Sequence, residues 1–573
     1  MLLGYMNNGS DTNPVEPFYS QHYYALWVQD DFKLTPKLTL NLGLRYDLLG
    51  PRTDRFNRLN YIFNSSVANP VNNQITNTAP LNGKQVLGGI EFAGVNGNPR
   101  GAFEMNYADI QPRVGVAYAI NEKTSVRAGF GVMYINTEAT NSTAGFSSTT
   151  NYTNSLDNGL TPHGHLADPF STFVQPTGPS LGYLTGLGSS FSFTNPHYQI
   201  PRLLQYSVSV ERSLSSRDLI DISYSGTRTQ NLDSSENINH ISSALQASCD
   251  VERGGNRQIC DSTATGQVNS PFYQVGPFNG TSYYSTKTIS TQNMSRPFPA
   301  FGDITQNQEN ILHTWYNSLQ FIYSHQLSAG LTFHVAYTHS KAMQEGNWAD
   351  TVNRIRSRNI SGNDTPNQLS LSGVWSLPVG RGKYLLGKSN RLIDAAIGGW
   401  TFAPIYVYTQ GFPWVPGGNW EQVASGISEN EHDLPADSLH TYKRLRGVTP
   451  CVGYKDTDTG NVILGAGAVA AGCSSPKMVL APNSYAAAHP VVYWGVRDPA
   501  FHQFDVALSK TFSVYERMKL QVRMDAINVL NHPIWQNDYN SSANDLNFGT
   551  QQKGTQGPQS VPRELQLSAK LRW

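Results

Sequence analysis

The chain has 573 residues, in which 41 lysines and arginines balance 41 aspartates and glutamates. A nucleic-acid-binding protein normally carries a basic excess, so we expect no nucleic-acid partner. Charged residues make up 14% of the chain, against about 25% in soluble domains, and no window of 18 apolar residues could form a transmembrane helix. The mean hydropathy of −0.39 is still compatible with a membrane β-barrel, because barrel strands alternate lipid-facing and lumen-facing residues.

Alternation of apolar and polar residues with a period of two dominates the sequence, which indicates β-strands rather than helices. The segment KLTLNLGLRYD (Lys37–Asp47) places its leucines and Tyr46 on one face and its polar residues and glycine on the other. The start of the chain, at residues 1–8, resembles the end of one more strand. In chain order, we predict about 13 strands, at residues 20–33, 37–47, 111–120, 123–135, 203–213, 217–226, 314–327, 330–340, 367–378, 399–411, 500–512, 516–530 and 562–573.

Short and long connections alternate between these predicted strands. The short ones lie near residues 36, 122, 215, 329 and 514, with a longer one at 379–398. The long ones cover residues 48–110, 136–202, 227–313, 341–366, 412–499 and 531–561. Outer-membrane barrels have short periplasmic turns and long extracellular loops, whereas a propeller would show a repeat of about 40–50 residues that this sequence lacks. The pattern therefore predicts an all-β fold, an antiparallel transmembrane β-barrel with long extracellular loops.

Several segments of the sequence resemble a known family. YYALWVQDDFKLTPKLTLNLGLRYD (Tyr23–Asp47) and FDVALSKTFSVYERMKLQVRMDAINVLNHPIW (Phe504–Trp535) resemble parts of TonB-dependent outer-membrane receptors, in particular the Oar-like branch. FGT at Phe548–Thr550 and PRELQLSAKLRW at Pro562–Trp573 are similar to the same family. The terminal aromatic residue, Trp573, resembles the signal that the barrel-assembly machinery reads.

The resemblance covers the whole chain but only part of the family's architecture. Members of the family carry a signal peptide, a TonB-box segment and a plug domain ahead of a barrel of about 22 strands. None of these leading parts can be placed in this sequence, and LLGY at Leu2–Tyr5 resembles a strand end well inside the barrel. We therefore expect residues 1–573 to be the C-terminal part of a receptor barrel, incomplete at about 13–14 strands, with the plug and N-terminal domains absent.

The resemblance implies a function in the outer membrane, the uptake of a scarce ligand such as a ferric chelate, a vitamin, an oligosaccharide or a peptide. The implied partners are outer-membrane lipid, the barrel-assembly machinery and, through the missing N-terminal part, the TonB complex; no cofactor and no enzymatic activity are implied. The loops at 136–202, 227–313 and 412–499 are the expected ligand contacts. Two alternatives stay open: a surface adhesion or structural barrel without transport, and a secreted β-rich carbohydrate-active protein.

The four cysteines lie in two of the long loops. Cys249 and Cys260 share one loop, and Cys451 and Cys473 share another. Four cysteines allow three pairings, of which proximity favours the two local ones. Disulfides persist in the oxidising environment outside the cell, so we predict the pairs 249–260 and 451–473, with free thiols as the alternative.

Other motifs do not support a catalytic or metal site. GAGAVA at Gly465–Ala470 matches a dinucleotide fingerprint, but no βαβ unit surrounds it. DTDTG at Asp456–Gly460 lacks two ligands of a calcium loop, and His163 and His165 are interpreted as part of a polar loop. Polar residues on the predicted lumen face are expected of any barrel and receive no catalytic role: Arg45, Arg127, Arg523, Asp525 and Lys570.

Overall fold

The computed structural model describes residues 8–135, 142–152, 161, 165–170, 173–249, 266–328, 330–350, 354–415, 420–422, 428–430, 441–446, 452–455, 462–464, 478–480, 492–498, 500–515, 518–531, 550–552 and 562–573. Within this part of the chain, no helix is both long and apolar enough to cross a membrane.

The fold is dominated by one large antiparallel sheet, in which thirteen strands pair in chain order. The strands are β1 (Tyr23–Thr35), β2 (Leu38–Leu49), β3 (Ile110–Asn121), β4 (Thr124–Tyr134), β5 (Arg202–Ser213), β6 (Asp218–Asn237), β7 (Ile304–Ser328), β8 (Leu331–Asp350), β9 (Asn367–Ser376), β10 (Trp400–Thr409), β11 (Phe501–Tyr515), β12 (Met518–Ile527) and β13 (Glu564–Arg572). All 13 strands predicted from the sequence are confirmed, including the one at 399–411, which is apolar on both faces. Among the described residues, β1 pairs only with β2 and β13 only with β12, so the sheet does not close.

One face of this sheet is apolar from the first strand to the last. The register places Leu42 opposite Val114, and Val114 opposite Phe130. Val208 likewise lies opposite Tyr224. The same face continues across the later strands through Phe321, Tyr337, Leu369, Tyr408, Val506, Met524 and Leu567. Many of these side chains are exposed in the isolated chain, so the face requires an apolar medium such as the hydrocarbon core of a bilayer.

Three strands are much longer than a bilayer requires. A transmembrane strand needs about 9–11 residues, whereas β6 has 20, β7 has 25 and β8 has 20. The sequence predicted the portions at 217–226, 314–327 and 330–340, and the additional residues lie at the end that carries the long connections. The prediction stopped short because beyond the bilayer no face contacts lipid, so the alternation ends while the hydrogen-bonded ladder continues, with register shifts between β6 and β7.

The described parts of the long connections 48–110, 136–202 and 227–313 fold together on this extension, and we call them the loop cap. Its core is a cluster of buried apolar residues from all three connections. The ring of Phe63 lies 4.9 Å from that of Phe298 and 5.5 Å from that of Phe301, between centroids. Phe191, at the start of a short strand that pairs in parallel with β7, lies 5.8 Å from Phe301. The described parts of these three connections therefore form a packed structure with its own hydrophobic core.

Smaller elements complete the described structure. The α-helices are α1 (Ser243–Cys249), α2 (Ser282–Ser285), α3 (Thr291–Met294) and α4 (Arg391–Ile397). Short 3-10 turns lie at Pro70–Asn73, Ala79–Leu81, Gly182–Leu184 and Gly276–Phe278. The minor strands lie at Ser10–Asn13, Tyr19–Ser20, Thr53–Asp54, Asn60–Ala68, Leu87–Phe92, Ser148–Asn151, Phe191–Thr194, Gln267–Asn269, Thr288–Ser290, Ile355–Ile360, Pro413–Trp414, Trp420–Gln422, Ser428–Asn430, Thr441–Arg446, Val452–Lys455, Val462–Leu464, Met478–Leu480, Tyr493–Arg497 and Thr550–Gln552.

Candidate ligand-binding surface

The face opposite the apolar one is polar and rich in glycine across β1 to β5. The register sets Gln29 opposite Gly43, and Gly43 opposite Arg113. Arg113 lies opposite Gly131, and Gly131 lies opposite Gln205. A second row on the same face contains Asn41, Gly115, Gly129 and Ser207. The two rows line a groove of about 420 Å³.

Three glycines of this groove are not required by the backbone or by local packing. Gly43, Gly129 and Gly131 do not have the left-handed backbone conformation that favours glycine. A Cβ atom at any of the three would meet no atom closer than 3.6 Å, which is ordinary van der Waals contact. Glycine in a strand interior costs about 0.5–1 kcal/mol relative to alanine. The missing side chains therefore lower stability without relieving a clash, and they leave the floor of the groove open.

The side chain of Arg113 stands in this groove and forms no hydrogen bond or ion pair with any other described residue. Arg45, on the same face, instead donates from Nε to Asp47 Oδ1 at 2.8 Å. Trp27 lies opposite Arg45 and is 72% exposed. A second cavity of about 230 Å³ lies beside these side chains and shares Arg113 and Gly43 with the groove. An unpaired guanidinium beside an exposed indole suits a ligand that carries an anionic or planar group.

A buried hydrogen-bond network lies at the end of this wall where the loop cap begins. Asp47 accepts hydrogen bonds from Arg45 Nε at 2.8 Å and from Gln111 Nε2 at 2.6 Å. Asp109, one residue before β3, is fully buried, and its Oδ2 has no hydrogen-bond partner among the described residues. Burial raises the pKa of Asp109 to about 6, and the charge of Asp47 contributes to the rise. The end of the wall where the loop cap begins therefore contains a carboxyl group that titrates near neutral pH.

The Asp54 carboxylate forms hydrogen bonds that join the segment before β1 to the loop cap. It is fully buried, and its Oδ1 accepts a hydrogen bond from the backbone N–H of Phe18 at 2.6 Å. Its Oδ2 accepts from Arg58 Nε at 3.1 Å and from the backbone N–H of Phe56 at 2.9 Å. Burial alone would raise the pKa of Asp54, but the hydrogen bonds from Arg58 and the backbone outweigh it and lower the pKa to about 2. This carboxylate is thus ionised at all physiological pH values.

A second buried ion pair joins the connections that follow β8 and β10. Arg497 Nη2 donates to Asp364 Oδ2 at 2.7 Å, and both side chains are largely buried. Arg497 Nη1 also donates to the carbonyl oxygen of Gly411 at 3.1 Å. Asp364 Oδ1 accepts from the backbone N–H of Ala342 at 2.6 Å. Removing one partner of such a pair would leave a buried charge, so the two connections are held firmly together.

Three ion pairs on the inner face involve four of the five polar residues noted in the sequence. Arg45 pairs with Asp47, and Arg523 Nη2 lies 2.7 Å from Asp525 Oδ1. Arg127 Nη1 lies 3.5 Å from Glu211 Oε2, and Lys570 lies opposite Gln521 in the register. These pairs are distributed along the wall rather than gathered in one cleft. No group of three or more His, Cys, Asp or Glu residues in the described chain is arranged to hold a metal ion.

The other predicted site residues are only partly described. Cys260, Cys451 and Cys473 lie outside the described residues, and of Cys249 the structure describes the backbone, which ends α1. The disulfide pairs therefore stay predictions. Trp573 follows β13 and is 91% exposed, and its role as an assembly signal also stays a prediction. The segments set aside as non-functional fall mostly outside the described residues: Asp456–Gly460, Gly465–Ala470 and His163.

Sequence reasoning missed the groove and the contribution of connection 48–110 to the loop cap. A signal for the groove was present, since Gly43, Gly115, Gly129 and Gly131 all occupy inner-face positions of the alternating pattern. Each of these glycines belongs to a predicted strand and sits in a position where polar side chains are the rule. Their convergence depends on the register of three strands, which the alternation alone does not specify.

A large antiparallel sheet with one exposed apolar face and one polar face is typical of an outer-membrane β-barrel protein. The chain belongs to the family described as the outer membrane beta barrel domain, whose model matches residues 1–566. The protein is accordingly located in the outer membrane, with the apolar face against lipid. No curated relative matches the chain.

Among solved structures, the chain is similar to the ferripyoverdine receptor of the outer membrane of Pseudomonas aeruginosa bound to ferripyoverdine, with 10% identity and a TM-score of 0.35 over 96% of this chain and 38% of that one. It is similar to the FrpB iron transporter from Neisseria meningitidis, with 11% identity and a TM-score of 0.36 over 96% and 45%. The outer membrane transporter YddB from Escherichia coli shows 9% identity and a TM-score of 0.34 over 96% and 54%. The chain thus spans between 38% and 54% of the length of these structures.

Proposed function

We propose that this protein is the barrel part of a TonB-dependent outer-membrane receptor of the Oar-like branch, which takes up a scarce ligand and is not an enzyme. The observation that carries the proposal is a preformed groove on the inner face of an outer-membrane sheet, lined by two rows of polar residues and glycines from neighbouring strands. An adhesin or a purely structural barrel has no need of a binding groove on its inner face.

We infer that the thirteen strands form one part of a larger barrel. Two unpaired sheet edges in a bilayer would leave backbone N–H and C=O groups without partners, at a cost of several kcal/mol each. Strands that pair with β1 and β13 would remove that cost. The plug and the segment that binds the TonB complex would be supplied by the rest of such a receptor.

In this proposal the ligand enters through the loop cap and binds along the inner wall. The glycine floor lets the ligand approach the backbone of β2 to β4, and Gln29 and Gln205 supply amide groups at the two ends of the groove. Arg113 supplies the positive charge, because it is free of other protein partners among the described residues. Ferric chelates, vitamins, oligosaccharides and peptides all carry groups that such a wall can bind.

The test compares ligand uptake by cells that carry the complete receptor with uptake by a deletion strain. Radiolabelled ferric citrate, cobalamin, a maltodextrin and a mixed peptide pool serve as probes. We expect one of the four to enter in a way that requires both the receptor and the TonB protein. Equal uptake of all four probes by both strains, together with loss of surface attachment in the deletion strain, would favour the adhesion function instead.

Two substitutions test the groove itself. Gly129→Gln fills the floor and should abolish uptake, while Ser223→Gln, on the same face of β6 outside the groove, should leave it unchanged. Arg113→Gln should weaken binding of an anionic ligand by roughly 1.5–3 kcal/mol. Arg127→Gln, whose partner is Glu211, is its control. Unchanged uptake by Gly129→Gln would move the binding site away from this wall.

A further inference from the structure

One connection at the short-turn end differs from all the others there. The other connections at this end have two to four residues, whereas the one between β9 and β10 has 23, from 377 to 399, and contains α4. We call it the long turn. In a barrel whose short turns face the periplasm, this connection lies at the periplasmic surface of the membrane.

The long turn packs against the lipid-facing side of the wall. Trp400 lies opposite Lys510 in the register, on the same face as the apolar pair Phe402 and Leu508. Lys510 is almost fully buried, and its Nζ donates to the carbonyl oxygen of Ala395 at 2.6 Å. The Nζ also lies 5.5 Å from the centre of the Trp400 ring, close enough for a cation–π interaction.

Trp400 makes the second contact with α4. Its indole Nε1 donates to the carbonyl oxygen of Ala396 at 2.9 Å. Two lipid-facing side chains thus bind the last carbonyl groups of α4. The helix is thereby held at the membrane-facing edge of the barrel rather than under its lumen.

The long turn carries several large apolar side chains that are exposed to solvent in the isolated chain. Tyr384 is 92% exposed and Leu392 is 83% exposed. Leu385, Leu386 and Ile393 are also exposed. A turn that faced only water would gain nothing from these side chains, whereas an interfacial segment would bury them among lipid chains.

The same turn is basic within a chain that has no net charge. It carries Arg381, Lys383, Lys388 and Arg391, whose side chains form no hydrogen bond or ion pair with other described residues. Its one acid, Asp394, accepts a hydrogen bond from the backbone N–H of Arg381 at 2.5 Å. Long basic side chains can reach phosphate groups while their stems lie along apolar surface.

We propose that the long turn is an interfacial anchor that binds anionic phospholipid headgroups of the periplasmic leaflet. The four cations bind headgroup phosphates, and Tyr384 and Leu392 enter the acyl boundary beside the lipid-facing surface of β10 and β11. The anchor extends the lipid interface of the barrel beyond its strands. It rests on location in the outer membrane and does not depend on the proposed uptake.

The test uses the protein purified from outer membranes and placed in nanodiscs of phosphatidylglycerol or phosphatidylcholine. A fluorescent amino acid at Tyr384 should emit at shorter wavelength than the same group at Ser215, in an ordinary turn of the same end. Native mass spectrometry should detect bound phosphatidylglycerol. Lys383→Gln/Lys388→Gln should lower its affinity about fivefold per lysine.

Lys37→Gln/Lys123→Gln is the matched control, because both lysines are exposed in other turns at this end. It should leave phosphatidylglycerol binding unchanged, and the heat-modifiable folded band should be retained by both double variants. Water-like emission from position 384 in phosphatidylglycerol would overturn the proposal. So would an equal loss of lipid in the two double variants, since any interfacial lysine would then serve.

Discussion

Two buried carboxyl groups at the base of the loop cap, those of Asp54 and Asp109, have different pKa values because they accept different hydrogen bonds. Asp54 accepts hydrogen bonds on both oxygens, from a guanidinium and from backbone N–H groups. Asp109 accepts from Asn106 Nδ2 at 2.8 Å on Oδ1, and its Oδ2 is buried without a partner in the described structure. The same side chain therefore has its pKa lowered to about 2 at one position and raised to about 6 at the other.

The first prediction follows from the raised pKa of Asp109. Because the folded protein holds this proton more tightly than the unfolded chain, stability is lost as the pH rises from about 4 to about 6. Asp109→Asn keeps the shape and removes the charge, so it should raise the free energy of unfolding at pH 7.5 by about 1–3 kcal/mol. At pH 4 the gain should vanish. Urea denaturation followed by tryptophan fluorescence at the two pH values measures both numbers.

Asp54→Asn is the contrasting variant. The folded pKa of Asp54 is lowered, so its stabilising contribution is complete above about pH 4 and is lost as the pH falls towards 2. Asp54→Asn should therefore destabilise the protein at pH 7.5. A gain in stability from this variant, or an equal gain from Asp109→Asn at both pH values, would contradict the assignment of the two carboxyl groups.

At the scale of elements, the loop cap is stabilised by aromatic packing rather than by the barrel ladder. Phe301 is fully buried between Phe63 and Phe191. Phe301→Ala should cost about 3–5 kcal/mol, as truncation of a buried phenylalanine does. We expect this loss of stability to be confined to the loop cap, because the strands of the sheet keep their own backbone hydrogen bonds. Hydrogen exchange should accelerate at 60–92 and 272–301 while the heat-modifiable barrel is retained.

Phe56→Ala is the control for cap packing, since Phe56 is an exposed aromatic residue of the same connection. It should leave exchange near the wild-type rate. If Phe301→Ala also abolished the heat-modifiable band, the cap and the barrel would fold as one unit. That outcome would contradict the independence of the cap core.

The third prediction concerns the four cysteines, two of which belong to the connection 227–313 and two to the connection 412–499 in the sequence. Peptide mapping without reduction should find Cys249 joined to Cys260 and Cys451 joined to Cys473. Each bridge would close a short loop and stabilise it by roughly 3 kcal/mol in the chain-entropy model. Reduction should loosen these loops without melting the barrel. A bridge between the two connections would show that proximity in sequence was a poor guide.

At the scale of the whole molecule, the last strand, β13, contributes to the lipid-facing surface and is followed by Trp573, the predicted assembly signal. Leu571 lies opposite Leu520 and Ala569 opposite Val522, so β13 continues the lipid-facing surface. Trp573 lies just beyond this surface and is 91% exposed. As a membrane-interface residue alone, it would contribute only a few kcal/mol of burial. As an assembly signal, it would decide whether the chain is inserted at all.

The fourth prediction separates these two roles of Trp573. Deleting Trp573 from the protein should remove the heat-modifiable barrel from outer-membrane fractions and leave the chain in the periplasm for proteolysis. Trp375→Ala provides a comparison, because Trp375 lies on the lipid-facing side of β9 at the short-turn end. The Trp375→Ala variant should lower the stability of the barrel but still be inserted into the outer membrane. Wild-type levels of barrel after deletion of Trp573 would limit that residue to an interfacial role.

The alternating pattern by itself determined the strand positions and the outer-membrane class. A strand between lipid and lumen is expected to alternate, so twelve of the 13 segments carry their own evidence, and the segment at 399–411, which is apolar on both faces, is the exception. The lengths of the connections define the two ends of the barrel. The residues of one segment suffice to predict a membrane-spanning strand, because each such strand lies between the same two environments, lipid and lumen.

Only the tertiary structure decided the groove, the loop cap, the position of the buried carboxyl groups, and the packing of the long turn against β10 and β11. Gly43, Gly129 and Gly131 come together through the register of three strands, and Phe63 meets Phe301 across a long stretch of chain. Outside the bilayer no imposed two-sided environment exists, so packing between distant residues replaces periodicity as the organising force. For that reason β6, β7 and β8 continue past the predicted ends, and the cap residues show no pattern in the sequence until the fold brings them together.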